Sequence, residues 1–520
     1  MKEGGGMGRI KIGWASRDIT TDKPIPVNGQ AYLRVSEGVM DPLTTTALVV
    51  DDGRDCAIFV SIDTGGIRCG LHDEIREKTR ALRPEIPVEK IITNATHTHT
   101  GASHFYSTFN TWASEAEEDH VPLSDKYEIA SSDEYRHWLS GQIAEMVAEA
   151  WDKRSEGGVA YGYGYAVVAH SRRVCYFDDV SAREGADKTN TFAVNGHSVM
   201  YGNTNDDMFS HYEAGADHFV NLMFTFDAED RLTGAIVNVP CPSQNSEHEW
   251  KLSADYWHDV RVAIRAKYGD IFILPQCAAA GDLSPRLLHY KKAQERRFRL
   301  KYGMDAADAS HTELNARRDI AERVAAAFDE VYAWARKDIR REMPVSHRVS
   351  TIRIARHLVT EEERAAAEEG LAASRRQSFV ISDDPKQDFV TNTIIVSNRK
   401  RFLTVLRNYE AQKTEKTMPM ELHVLRIGDI AFASNRFELY MDYQHRIQSR
   451  SPFEQTFIIQ LAGQPGEEGG TYLPTERGYW GKGYSAIVYS MTASPEGGQQ
   501  IVEETVRQLK ELSEEGEKHE

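Results

Sequence analysis

The chain has 520 residues, 41% hydrophobic and 27% charged, which is enough apolar material for a large core and more than one ordinary domain needs. A formal net charge of −17, from 62 basic and 79 acidic side chains, gives a field that repels polyanions, so nucleic acid is not an expected partner. No stretch approaches the roughly 18 to 20 consecutive apolar residues of a membrane helix, and a mean hydropathy of −0.52 agrees, so stable membrane insertion is not expected either.

Along the chain, Ile10-Lys11-Ile12-Gly13, Ala47 to Val50 and Ala57 to Val60 read as strands, and Asp52-Gly53 between the last two is a hairpin signal. Asp73 to Leu82 reads as a helix stopped before Pro84, and Ile91-Ile92 as the next strand, an alternation that marks an α/β fold. The acidic segment from Phe105 to Ser132 lacks a period and reads as a long loop, of the kind that covers a site. Tyr135 to Trp151 is helical, with Ile143, Met146, Val147 and Ala150 on one face, and glycine-rich Gly157 to Tyr165 leads into a strand at Ala166 to Val168.

Further on, Leu222 to Phe226 and Ala235 to Val239 form an expected strand pair, followed by a strand at Ile271 to Leu274. Ala316 to Ala335, Glu361 to Arg376 and Asn392 to Gln412 read as helices. Strands return at Glu421 to Leu425, Ile430 to Ala433 and Phe457 to Leu461, before a closing helix from Gln499 to Leu512. No period of 20 to 50 residues and no Pro/Gly/Ser linker appears. The fold class is therefore α/β, with mixed sheets flanked by helices. The expected division is one catalytic domain over 8–512, a helical insertion at about 290–415, and disordered tails at 1–7 and 513–520.

The five cysteines, Cys56, Cys69, Cys175, Cys241 and Cys277, are scattered and never spaced C-x-x-C, which argues against a disulfide framework and a structural zinc ribbon. The N-terminus is glycine-rich, has no apolar export segment and carries a second methionine at Met7. A cytoplasmic location is expected.

Chemistry concentrates at strand ends. In Asn94-Ala95-Thr96-His97-Thr98-His99-Thr100-Gly101, two histidines one residue apart follow an apolar run; in an extended segment they share a face, and neutral imidazole is the commonest nitrogen ligand for zinc. After Val239 come Pro240-Cys241-Pro242-Ser243-Gln244 and then Ser253-Ala254-Asp255-Tyr256; after Leu274 comes Cys277 to Arg286, which contains Gly281-Asp282-Leu283-Ser284-Pro285. Small residues there let backbone and ligand approach closely, although Gly281-Asp282 also reads as an ordinary turn.

The Asn94 to Gly101 segment, Asp41-Pro42-Leu43, Val60 to Asp63 and Gly281 to Pro285 resemble, in the same order, the motifs of the neutral/alkaline, non-lysosomal ceramidase family, over roughly residues 8 to 512. Members are zinc amidases that release a fatty acid from an N-acylated sphingoid base. The resemblance implies Ser284 as the serine assigned to catalysis, His97 as a zinc ligand and His99 as a group at the reacting centre, and Asp282 beside Ser284 is a further catalytic candidate. It further implies Arg172, in His170-Ser171-Arg172-Arg173, as a substrate-binding arginine, and Glu438 and Tyr472 as the remaining ligands. Asn94, Asp255 and Tyr256 are further substrate-binding candidates, and Asp255 reads equally well as a helix cap.

Two departures alter that expectation. Where the family has a second zinc histidine this chain has Pro240-Cys241-Pro242, so Cys241 is the expected replacement ligand, with a buried inert thiol as the other reading and His248 and His258 as nearby alternatives. The family members also carry an export signal and an additional C-terminal β domain, neither of which is expected here, and the segment after His99 is rich in Asp, Glu, Ser and Tyr. A small, water-soluble substrate is therefore expected rather than ceramide. Three readings follow: a zinc hydrolase cleaving an amide in a small polar N-acyl compound, a carbohydrate-active hydrolase or lyase on the same scaffold, and a catalytically inactive binding protein. A homo-oligomer is compatible with each.

Overall fold

The near-continuous apolar runs come from strands buried on both faces. The computed structural model describes residues 8–105, 116–122, 128–187, 190–303, 309–466 and 468–517. Its first sheet has the spatial order Ile91–Ala95, Cys56–Ile62, Thr44–Asp51, Lys11–Asp18, Ser155–Glu156. All seven residues of Cys56–Ile62 are buried. The second has the order Phe272–Cys277, Leu232–Val239, Phe219–Phe226, Gly158–Tyr165, and the third Val345–Ala355, Thr417–Ile427, Ile430–Ser434, Gln455–Ile459.

The three sheets meet around one core drawn from all of them, including Trp14, Leu48, Phe59, Met223, Ile236, Leu274, Leu425, Phe432 and Phe457. Trp14 stacks on Phe272 and donates to Thr225, while Phe59 packs on Phe432 with ring centroids 4.9 Å apart. Helices cover the outer faces. Leu71–Leu82 and Ser132–Asp152 pack with the first sheet, Tyr256–Tyr268 and Ala309–Ala335 with the second, and Pro495–Glu517 with the third. Burying sheets from both sides is what lets strands be apolar at every position rather than at every second one.

Most strands and helices fall where the sequence predicts them, and the Asp52-Gly53 hairpin joins two antiparallel strands with Gly53 at φ 82°. The differences have physical reasons. Gly158–Tyr165 is itself the strand, with Ala166–Val168 beyond it, because a side chain at Gly162 or Gly164 would collide with Trp334, Val331 or Ala327 of the helix packed on it. The 290–415 segment holds the helices Lys291–Tyr302, Ala309–Ala335, Glu361–Arg375 and Pro385–Ala411. It also contains Val345–Ala355, which pairs along its whole length with Thr417–Ile427 and so belongs to the third sheet. The closing helix runs on to Glu517, so 513–517 are helical rather than a tail, and residues 1–7 and 518–520 lie outside the described residues. Of the loop expected from Phe105 to Ser132, residues 106–115 and 123–127 also lie outside them, and Ser132 begins a helix. Among the described residues no helix is long and apolar enough to cross a membrane.

A buried polar chain locks the first helix to the third sheet. Arg76 donates to both oxygens of Glu421 at 3.0 and 2.8 Å, His423 Nε2 lies 2.9 Å from the same carboxylate, and His347 Nε2 lies 2.9 Å from His423 Nδ1. His72, beside them, shares a hydrogen bond with Thr93.

Burial holds three histidines below their ordinary value: His72 at about 4, His104 at about 3 and His170 at about 4. In the unfolded chain they titrate near 6.5, so acidification protonates the unfolded state first. Their stabilising contribution should be complete above about pH 6.5 and be lost between there and about pH 4, at roughly 1.4 kcal/mol per proton per pH unit. Urea denaturation at pH 7, 5.5 and 4.5 checks this, and a midpoint that does not fall across that series contradicts it.

Candidate active site

Parallel pairings bring the carboxyl ends of several strands to one place, where open α/β sheets bind ligands. Ile91–Ala95 runs parallel to Cys56–Ile62, Phe272–Cys277 to Leu232–Val239, and Gln455–Ile459 to Ile430–Ser434. The segments that follow these strands carry most side chains of the site, and Arg172 and Tyr201 come from the ends of short strands beside them.

His97 stands immediately beyond the first of these strands in the left-handed region, with φ 63°, a conformation that costs a non-glycine residue energy and that clusters at functional sites. Its Nδ1 donates to the Gly65 carbonyl at 2.6 Å, which leaves the lone pair on Nε2. Nε2 is buried, has no hydrogen-bond partner, and lies 3.4 Å from Glu438 Oε2. Burial pushes the Glu438 carboxyl up, but a positive charge on the His97 side, with Arg172 and Tyr472, outweighs it and holds the group at about 2. A lone pair and a carboxylate facing each other in a dry space call for a positive charge between them.

Glu438 is placed by a short parallel pairing in which it stands opposite Tyr472. The approach is close enough that a side chain at Gly281 would meet the Glu438 carbonyl at 2.3 Å. Arg172, buried at the junction of two short strands, converges on the same group. Its Nη2 donates to the Gly281 carbonyl at 2.9 Å and to the Tyr472 hydroxyl at 3.4 Å, and lies 3.7 Å from Glu438. Its Nη1 donates to the Tyr201 hydroxyl at 3.2 Å and to Gln244 Oε1 at 3.4 Å.

His99 lies beside His97, with ring centroids 4.9 Å apart. Its Nδ1 is 2.7 Å from Glu247 Oε2 and its Nε2 is 3.0 Å from Gln244 Nε2. A carboxylate only accepts, so Nδ1 carries the proton and Nε2 accepts from the Gln244 amide. Burial holds His99 below its ordinary value against the pull of Glu247. Burial raises Glu247 too, but His99 and Arg286 hold it down at about 2. Arg286 clamps Glu247 at 2.5 Å and reaches Glu313 at 3.4 Å. The outcome is a neutral imidazole of fixed tautomer with an accepting nitrogen turned toward the centre.

Of the expected residues, His97, His99, Arg172, Glu438 and Tyr472 come together, and Ser284 borders them. The Ser284 hydroxyl accepts from the Arg286 amide at 3.1 Å and lies 3.4 Å from the Tyr201 hydroxyl. Among the described residues His99 makes no hydrogen bond to it.

The others serve the scaffold. Asp282 turns its carboxylate to the Met441 amide at 2.9 Å, at the start of the helix Met441–Gln448, and burial pushes it up to about 7. Asn94 donates to the Pro275 carbonyl between two sheets. Asp255 caps the helix Tyr256–Tyr268 and accepts from Ser246, pinning the loop that carries Gln244 and Glu247. Tyr256 donates to the Cys241 carbonyl. Cys241, the expected replacement ligand, is packed in the core with its thiol toward the Val168 carbonyl at 3.4 Å, and burial holds it well above the usual thiol range. The Pro240 to Pro242 turn directs it into the core of the second sheet. His248 is exposed and His258 lies on the capped helix, and neither contacts His97 or Glu438.

Sequence reasoning missed Tyr201, Gln244, Glu247 and Arg286. Gln244 and Arg286 lie in the small-residue segments already singled out. Tyr201, following the strand Ser198–Met200, gave no sequence signal.

No family model matches the chain, and no curated protein matches it. Among solved structures, the neutral ceramidase from Pseudomonas aeruginosa is similar with a TM-score of 0.65, covering 98% of this chain and 75% of its own at 17% identity. A ceramidase complexed with C2 gives a TM-score of 0.63, covering 98% and 76% at 15% identity. The class defined by the architecture is therefore a mixed α/β fold of the neutral-ceramidase type. At these identities the likeness is one of fold.

Gly29, at φ 104°, packs flat on His99, and a Cβ there would lie 2.3 Å from the His99 side chain. Gly29→Ala should cost about 1–3 kcal/mol through overpacking and backbone strain. It should also shift the His99 ring signals in a histidine-detected nitrogen NMR spectrum. Unchanged stability and unchanged His99 signals would contradict this packing.

Proposed function

We propose that the chain is a metal-dependent hydrolase of the ceramidase type that cleaves an amide in a small polar N-acyl substrate. The observation that carries this reading is the buried, partnerless His97 Nε2 facing Glu438. An imidazole whose other nitrogen is fixed by a backbone carbonyl is the usual arrangement of a metal-ligating histidine.

The donors present suit one divalent cation such as zinc: His97, Glu438 and the Tyr472 phenol. Among the described residues no three His, Cys, Asp or Glu side chains converge, so the third donor is the phenol rather than Cys241. Three protein ligands with a position left open are what a catalytic rather than a structural zinc site uses. Bound there, the cation would polarise a carbonyl oxygen and lower the pKa of water.

The chain's own residues supply the rest. Arg172, already tied to Gly281, Tyr201 and Tyr472, holds the substrate oxygen and balances negative charge as it develops there. His99 Nε2 takes a proton once the Gln244 amide yields its place, and Glu247 at Nδ1 stabilises the imidazolium that results. Ser284 and Tyr201 offer hydroxyls that orient the substrate. The fold likeness to ceramidases supports amide cleavage, and the polar surroundings support a water-soluble substrate.

Metal analysis of the purified protein should find about one zinc per chain, and His97→Ala should lose it together with chelator-sensitive release of free amine from N-acyl amino acids. A metal-free protein whose amine release survives His97→Ala would overturn the proposal.

A further inference from the structure

Although the chain is acidic overall, with 79 acidic against 62 basic side chains, cations crowd one side of this site. Arg68 follows the Gly65 turn that holds His97, and its Nη2 donates to the Gly470 carbonyl at 3.0 Å, two residues before Tyr472. Its guanidinium also lies over Phe105, 5.6 Å from the ring centroid. Lys400 stands near it, and burial together with Arg68 holds that ammonium down at about 8.

Arg401 is next on the same helix. Its Nη2 donates to Ser490 Oγ at 2.8 Å, and its guanidinium lies over Phe192 at 4.1 Å and Tyr484 at 5.2 Å. The Tyr484 ring packs edge-on against Tyr472 at 5.5 Å, so one aromatic ring separates Arg401 from the Glu438 partner. Neither Arg68 nor Arg401 has a carboxylate within ion-pairing distance among the described residues, and Arg401 Nε is buried without a partner. Two other buried guanidinium groups pair directly with carboxylates, Arg173 with Glu213 and Arg261 with Asp63. Partly buried guanidinium groups held only by neutral acceptors and ring faces keep their charge available for an incoming oxyanion, whose two oxygens match the planar fork.

We propose that the substrate of this site carries a carboxylate, received by Arg68 and Arg401 on the Tyr472 side of His97. The inference rests on the reading of this cleft as a substrate site and adds the chemical class of the substrate. A carboxylate could belong to an N-acyl amino acid or to an acidic sugar, and the two share this recognition.

The test is calorimetric binding of N-acetylglutamate and glucuronate, each beside its neutral counterpart, N-acetylglutamine amide and glucose, to zinc-loaded and chelator-treated protein. At least one carboxylate should bind about tenfold or more tightly than its neutral counterpart, and which one does identifies the source. Arg401→Gln and Arg68→Gln should each weaken that carboxylate about tenfold while Arg401→Lys retains part of the affinity. Preference for the carboxylate in chelator-treated protein would uphold this inference even if the metal reading fails. Equal binding of charged and neutral compounds, no binding of either carboxylate, or affinity unchanged in both glutamine variants of a folded protein would overturn it.

Discussion

The imidazole of His97 is fixed from two directions at once. Its backbone sits in a left-handed conformation at the end of a buried strand, and its Nδ1 proton is held by the Gly65 carbonyl. Only that combination turns the bare Nε2 toward Glu438, and the surrounding architecture sustains it. Cys56–Ile62 and Ile91–Ala95 must lie parallel for the Gly65 turn and His97 to emerge side by side. The third sheet must then dock on the first, through contacts such as Phe59 on Phe432, for the carboxylate to arrive opposite. Removing the strain would free a fraction of the folding energy but would also release the ring.

Buried ion pairs surround this centre and hold the loops that shape it. Arg261 grips Asp63 in the turn leading to Gly65, Arg317 joins Asp41 to Asp259, and Arg173 is fully enclosed with Glu213 next to Arg172. Desolvation offsets much of the attraction in such pairs, so their net stabilisation is modest, while losing one partner would strand a charge at large cost. Their positions suit a role in fixing loop geometry. Asp255 does the same with hydrogen bonds, capping a helix while pinning Ser246 next to Glu247.

How legible this was in the sequence depended on the range of the interaction. Periodicity and turn residues exposed most helices and strands, since those patterns are local. The strand Val345–Ala355 was missed because its residues are mixed polar and apolar with only Val345, His347 and Ile354 buried, and its partner lies far along the chain. The His97 segment stood out because both imidazoles follow a strand, and Arg172, Glu438 and Tyr472 were reached through resemblance rather than spacing. Cys241 illustrates the limit: its place in the motif suggested a ligand, yet the direction of one side chain at a proline-flanked turn sends it into the core. The contacts of Glu247 with His99 and of Arg286 with Glu247 are tertiary and left no local trace.

Arg172 and Tyr472 are 300 residues apart in sequence, and Arg68 and the Gly470 carbonyl 402. Nearly the whole polypeptide must therefore be in place before any part of the pocket exists. Pairings of such separation form late, since loop closure must be met before they contribute. It follows that anything occupying the pocket would couple to global rather than local opening, and its concentration would set the population of the complete native chain by mass action.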